Sequence, residues 1–172
     1  TRLELADDMR SVKWNGDQFV AVGGAITCSS NDGVSWSVQP LSGQPLNALA
    51  WNGVLWGAVG EQSTVAWSAD GSIWTSADLG EADFLDVVWT GEAFVAVSRD
   101  EKVALSTDGL TWTTHSVEPR GFDSVTFGAG LLVATDFKPY WSEDGLTWHR
   151  SEASGRHERV TWTGERFVAY DP

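Results

Sequence analysis

Cysteine is almost missing from this chain. Cys28 is the only one in 172 residues, so no disulfide can close within it, and a lone thiol that aligns with Ala66, Ala104 and Tyr140 of the repeats described below is expected to be buried and structural. Positive charge is scarce as well. Eleven Lys and Arg stand against 24 Asp and Glu, and a net charge of −13 repels phosphate backbones and anionic lipid, which argues against nucleic-acid and membrane-surface partners. The acidity reads first as a solubility device. Apolar runs are short, none approaching the ~20 residues of a membrane span. Long amphipathic helical patterning is lacking, and so is a signal peptide, although a chain that begins at Thr1 without Met is expected to have been processed or trimmed.

Tryptophan and glycine are plentiful instead, 11 and 18 of them, which points to many short strands joined by tight turns. The chain is organised around one stretch that occurs four times. Ser30-Asn31-Asp32-Gly33-Val34-Ser35-Trp36, Ser68-Ala69-Asp70-Gly71-Ser72-Ile73-Trp74, Ser106-Thr107-Asp108-Gly109-Leu110-Thr111-Trp112 and Ser142-Glu143-Asp144-Gly145-Leu146-Thr147-Trp148 share Ser, Asp, Gly and Trp at fixed offsets, with steps of 38, 38 and 36. A period in this range means a solenoid, a propeller or an array. Within the unit, Asp can accept from backbone N–H groups two residues on, Gly supplies a positive φ, and Trp returns to pack over the corner. These residues resemble the Asp-box (bacterial neuraminidase) repeat of sialidases, secreted xyloglucanases, sortilin-type receptors and photosystem II assembly propellers. The resemblance implies a structural turn on the outside of a β-propeller blade and a secreted or cell-surface bacterial protein. It leaves function open, since the same blade serves hydrolases, receptors and assembly factors.

Aligned repeats show four strand-like segments per period. Strand A reads Val12–Gly16, Leu49–Gly53, Val87–Gly91, Val125–Gly128 and Val160–Gly164, closed by Asn-Gly or Thr-Gly turns in all but the fourth; strand B follows at Phe19–Val22, Leu55–Val59, Phe94–Val97, Leu132–Ala134 and Phe167–Tyr170, apolar on both faces. Strand C leads into each box and strand D starts at its Trp. That meander predicts an all-β propeller of four-stranded antiparallel blades, a single domain over residues 1–172. Boxes at 30–36, 68–74, 106–112 and 142–148 mark four full blades. A fifth is expected to be split, drawing strands A and B from 159–172 and an outer strand from Arg2–Asp7 within residues 1–8, which favours a monomer; an edge left open there would drive self-association.

The repeated end of each blade, with its A–B turn and box, is the structural end. Asp32, Asp70, Asp108 and Asp144 lack the alternating oxygens and later Glu of a calcium loop, so no metal and no cofactor is expected. Trp36, Trp74, Trp112 and Trp148 are assigned by their period to packing rather than to a sugar belt. Function is expected at the opposite end, in the B–C and D–A loops. Arg10, Asn47, Asp86, Asp123 and Glu158 precede the strand A cores and should gather at the channel mouth with Phe84, Phe122 and Phe137, a set suited to hydrogen-bonding and stacking on a sugar or a peptide, or simply to lining a wet funnel. Asp86, Asp123 and Glu158 also allow a small glycoside hydrolase, since two suitably spaced carboxylates suffice. The sialidase likeness implies an Arg trio and a Tyr/Glu pair on six blades, a pattern not recognisable here. His115, His149 and His157 come with no nucleophile elbow. The expected function is a non-enzymatic recognition module for carbohydrate or protein, with the hydrolase and an assembly scaffold as alternatives.

Overall fold

The computed structural model describes residues 9–171 apart from 42, 81, 119–120 and 154–155. These residues form strands and turns and no helix. Blade 1 comprises β1 (Ser11–Trp14), β2 (Phe19–Gly23), β3 (Ile26–Ser30) and β4 (Ser37–Pro40); blade 2 comprises β5 (Leu46–Trp51), β6 (Trp56–Gly60), β7 (Thr64–Ser68) and β8 (Thr75–Asp78). Blade 3 holds β9 (Phe84–Trp89), β10 (Phe94–Ser98), β11 (Lys102–Ser106) and β12 (Thr113–Ser116), and blade 4 holds β13 (Ser124–Gly128), β14 (Leu131–Asp136), β15 (Lys138–Ser142) and β16 (His149–Arg150). Each is a four-stranded antiparallel meander. The last sheet has two strands, β17 (Arg159–Trp162) and β18 (Phe167–Tyr170). First strands of successive blades pack on one another around a central channel, β1 against β5, β5 against β9, β9 against β13 and β13 against β17. The predicted propeller of about five blades is therefore present. One detail differs from expectation, in that the outer strand begins one residue after each box Trp; the outer strand assigned to Arg2–Asp7 lies outside the described residues.

The A–B turns show why Asn or Thr precedes Gly. Asn15 Oδ1 accepts from the N–H groups of Asp17 and Gln18 at 2.9 and 2.8 Å while Asn15 N–H donates to the Gln18 carbonyl, and Thr90 Oγ1 serves Glu92 and Ala93 in the same way. Second strands are the most deeply placed. Every residue of β6 and β10 is buried, because a blade's second strand is covered by the neighbouring sheets on both faces. Between blades 1 and 2 the core gathers Val20, Leu46 and Leu49 around Trp56; between 2 and 3 it holds Val59, Val65, Phe84 and Phe94; between 3 and 4, Val97, Phe122, Val125 and Leu132. Cys28 is buried as expected, and burial pushes its thiol up from the ordinary value.

All four boxes make the same turn. In the third, Ser106 Oγ donates to Asp108 Oδ1 at 3.1 Å and accepts from Gly109 N–H at 2.8 Å, and Asp108 Oδ1 accepts from Leu110 and Thr111 N–H at 2.8 and 2.7 Å. Gly109 has a φ of 74°, where a Cβ would be strained, and Trp112 Nε1–H donates to its carbonyl at 3.2 Å. Each box from the second onward also presses on the blade before it. A Cβ on Gly71 would stand 2.4 Å from Val20, one on Gly109 2.7 Å from Leu55, and one on Gly145 3.3 Å from Val95, whereas Gly33 of blade 1 meets only its own Phe19. Trp112 and Trp148 are buried accordingly, while Trp36 and Trp74 are only half-buried.

These bonds to the ionised form hold Asp32, Asp108 and Asp144 down at about 2, chiefly through the two backbone N–H donors, and lower Asp70 as well. A carboxyl with a depressed folded-state pKa stabilises the fold above its unfolded value near ~4 and loses that contribution as pH falls towards 2. We therefore expect the urea midpoint to drop between about pH 4 and pH 2. Asp108→Asn, which keeps an acceptor but cannot titrate, should flatten part of that drop. Equal pH slopes in the two proteins would show that the box carboxylates are not its source.

Candidate functional site

The non-repeating end opens into a funnel. Its outer cavity, about 680 Å³, is lined by Arg99, Glu101, Gly121, Asp123, Asp136, Phe137 and Glu158. A second space of about 400 Å³ shares Arg99, Asp123 and Glu158 with it and adds Arg10, Asn47 and Arg159; below, a polar chamber of about 290 Å³ runs down the channel past Lys13, Asp86, Ser124 and Thr161. Among the described residues the outer cavity is thus lined by four carboxylates and the Arg99 guanidinium, with Arg156 standing over Phe137 at its rim. Arg99 is ion-paired with Asp123, whose bond and charge hold the guanidinium further into its charged form, with Glu158 and Asp136 adding to the effect. Glu101 (φ 58°) and Phe137 (φ 55°) both sit in left-handed backbone, so the B–C turns of blades 3 and 4 place two non-glycine residues at the rim in conformations that cost free energy.

Several residues expected to bind ligand bind neighbouring blades. Arg10 donates to Asn47 Oδ1 and pairs with Glu61, each at 2.6 Å, and Asn47 Nδ2–H passes the link on to the Phe84 carbonyl at 2.7 Å. Asp86 accepts from Ser124 Oγ–H and Val125 N–H at 2.9 and 3.0 Å, Ser124 Oγ in turn accepts from Val160 N–H at 3.4 Å, and Thr135 Oγ1–H donates to the Glu158 carbonyl at 3.1 Å. The result is a belt of hydrogen bonds from blade 1 to blade 5 around the channel. Burial pushes the Asp86 carboxyl up from its ordinary value, partly offset by those donors and by Lys13.

The structure corrects two assignments outright. Phe84 and Phe122 have no exposed surface: Phe84 lies in the core between blades 2 and 3, and Phe122 packs its ring 4.5 Å from Trp148 and 5.5 Å from Tyr140. Neither can stack on a ligand. Phe137 alone of the three reaches the mouth, and the Arg156 guanidinium already lies over its ring at 3.8 Å. The carboxylate trio is divided as well, since Asp123 and Glu158 line the mouth while Asp86 belongs to the deeper chamber. Arg99, Glu101 and Asp136, which lie in the B–C loops expected to carry function but were not singled out for the channel-mouth set, join the site. They are consecutive with loop residues whose projection depends on turn conformation, and no spacing rule reveals that.

No family model matches the chain, and no curated protein matches it either. Solved structures do. Over 99% of its length the chain superposes on 74% of a chain in a nidogen/laminin complex, at 12% identity and a TM-score of 0.79. It matches virginiamycin B lyase from Staphylococcus aureus over 96% of its own length and 64% of that chain, with 12% identity and a TM-score of 0.82, and YCF48 bound to a D1 peptide over 95% and 59%, with 16% identity and a TM-score of 0.72. The likeness is one of fold. All three are β-propellers, and the chain spans less than two thirds of the lyase and of YCF48.

Proposed function

We propose that this propeller is a non-enzymatic interaction module that takes a basic protein segment into its channel mouth. The observation that carries the reading is the outer cavity, about 680 Å³, whose described lining includes Glu101, Asp123, Asp136 and Glu158, outnumbering the nearby Arg99 and Arg156. A Lys or Arg side chain entering there meets a focused negative field on a chain already at −13. The nidogen and YCF48 structures are propellers seen with protein or peptide, which agrees with this use of the fold. Carbohydrate recognition draws support only from Phe137. Kinship with Asp-box propellers is proposed on the four identical turns, and a secreted or surface location follows from that kinship alone. A glycosidase using Asp123 and Glu158 would have to free Asp123 from Arg99.

A fluorescent Lys-rich peptide titrated into the full chain and followed by anisotropy tests this. Binding is expected to weaken steeply with added salt, and Glu101→Gln with Glu158→Gln should weaken it roughly tenfold, in line with loss of two facing charges. Saturable binding of a neutral oligosaccharide with none of the peptide would overturn it in favour of the carbohydrate reading. Glycoside turnover abolished by Asp123→Asn would make the mouth an active site instead.

A further inference from the structure

Below the acidic mouth the sign of the charge reverses. Three of the chain's eleven Lys and Arg, namely Arg10, Lys13 and Arg159, line the polar chamber of about 290 Å³ inside the channel, together with the hydroxyl-bearing Ser11, Thr161 and Tyr170. Asp86 is the one carboxylate of its described lining, and its oxygens are engaged. Oδ1 accepts from Val87 N–H at 2.9 Å and Oδ2 from Ser124 and Val125, while Lys13 acts on it by charge. Arg10 is anchored by Glu61 and Asn47, whereas among the described residues Lys13 and Arg159 make no ion pair.

The two unpaired cations depart from the repeat. The ladders set Lys13 opposite Val20 just as they set Ala50 opposite Gly57, Val88 opposite Val95, Thr126 opposite Val133 and Thr161 opposite Val168, so only blade 1 has a charge at that place. Two residues earlier the equivalent places hold Ser11, Ala48, Asp86, Ser124 and Arg159. Alternation along a strand turns both rows to one side, and that side lines the channel. A residue that the blade needs recurs from blade to blade, and these cations do not. Like charges gathered in a narrow space repel one another, and an anion among them relieves that repulsion.

We propose that the chamber binds a small oxyanion, a phosphate or a carboxylate group, held by Lys13 and Arg159. The Arg159 guanidinium offers a planar fork that matches two oxygens of either group, Lys13 supplies a compact point charge, and the hydroxyls donate to the oxygens that remain. The volume accommodates such an ion with a few waters. The space between mouth and chamber carries Arg10, Arg99 and Arg159 against Asp123 and Glu158, which makes it passable to an anion. This site is independent of what the mouth takes.

The test titrates inorganic phosphate, and separately malonate, into the full chain by calorimetry at fixed ionic strength, with the melting temperature as a second readout. A chain at −13 has no general attraction for anions, so saturable one-to-one binding reports a built site. We expect such binding and a raised melting temperature from at least one of the two, phosphate alone assigning a phosphate group and malonate alone a carboxylate. Lys13→Thr with Arg159→Ser, which gives blades 1 and 5 residues that other blades carry at those places, should weaken binding roughly tenfold or more. Melting without anion should stay level or rise in that variant, because crowded like charges are gone. Glu101→Gln, in the outer cavity, should bind the anion no more weakly than the parent. Absence of saturable binding by both anions, or undiminished binding to the double variant, would overturn the proposal. So would a double variant that melts lower without anion yet gains as much from it as the parent does, which would give the two cations a part in the fold instead.

Discussion

Phe94→Ala is expected to lower unfolding free energy by about 3–5 kcal/mol, towards the upper end for a deleted aromatic. The ring has no exposed surface and sits 4.8 Å from Trp89 and 5.8 Å from Trp112. It fills space that two glycines leave for it: a Cβ on Gly57 would stand 2.8 Å from the ring and one on Gly109 3.0 Å. Walls made of backbone do not collapse into a hole as side chains do, so the cavity persists and its cost is added to the lost transfer free energy. Domains of this size are stable by about 5–15 kcal/mol, so a guanidinium titration should show a large fall in midpoint. A loss below about 1 kcal/mol would mean that Leu55 and the Trp rings refill the space.

Gly60→Ala should cost about 3 kcal/mol, for the opposite reason. A Cβ there would lie 2.0 Å from the Pro45 carbonyl oxygen and 2.9 Å from Leu46 Cα, both backbone, where Glu61 N–H donates to that same carbonyl at 3.0 Å. No rotamer change relieves the contact. Gly53→Ala makes the informative comparison: its φ of 97° is unsuited to alanine, yet a Cβ would meet nothing within 4 Å. Thermal melts should therefore show a small loss at Gly53, from backbone strain of about 1–2 kcal/mol, and a larger one at Gly60. The reverse order would mean that the loop before β5 shifts freely.

The architecture was legible because its determinants are local and repeated. Ser, Asp, Gly and Trp specify one turn through bonds spanning two or three residues, so four copies at a fixed period declare four blades before any long-range contact is considered. The candidate site was legible only in part. Placing Phe84 and Phe122 at the mouth treated both as loop aromatics by position along the chain; the structure makes Phe84 the first residue of β9 and puts Phe122 just before β13, and both rings fill the apolar space between adjacent blades. Asp86 and Asn47 line the polar chamber below the mouth, but a polar group there is as useful for tying one blade to the next as for meeting a ligand, and one sequence does not choose between them. Trp56, which stands where blades 1, 3 and 5 have Phe, shows the same limit. Its Nε1–H is buried with no acceptor among the described residues, a conflict that only packing reveals.

The boxes have a direction. Gly71 leans on Val20, Gly109 on Leu55 and Gly145 on Val95, always a later blade upon the one before it. For a chain made from its N-terminus, each corner is therefore a clasp that arrives after the surface it closes: a blade leaving the ribosome waits, its second strand bare on one side, until the box of the next is translated. Synthesis would then shelter the apolar strands one at a time, and a pause between the codons for Val95 and Gly145 would leave one flank of β10 bare for as long as it lasted.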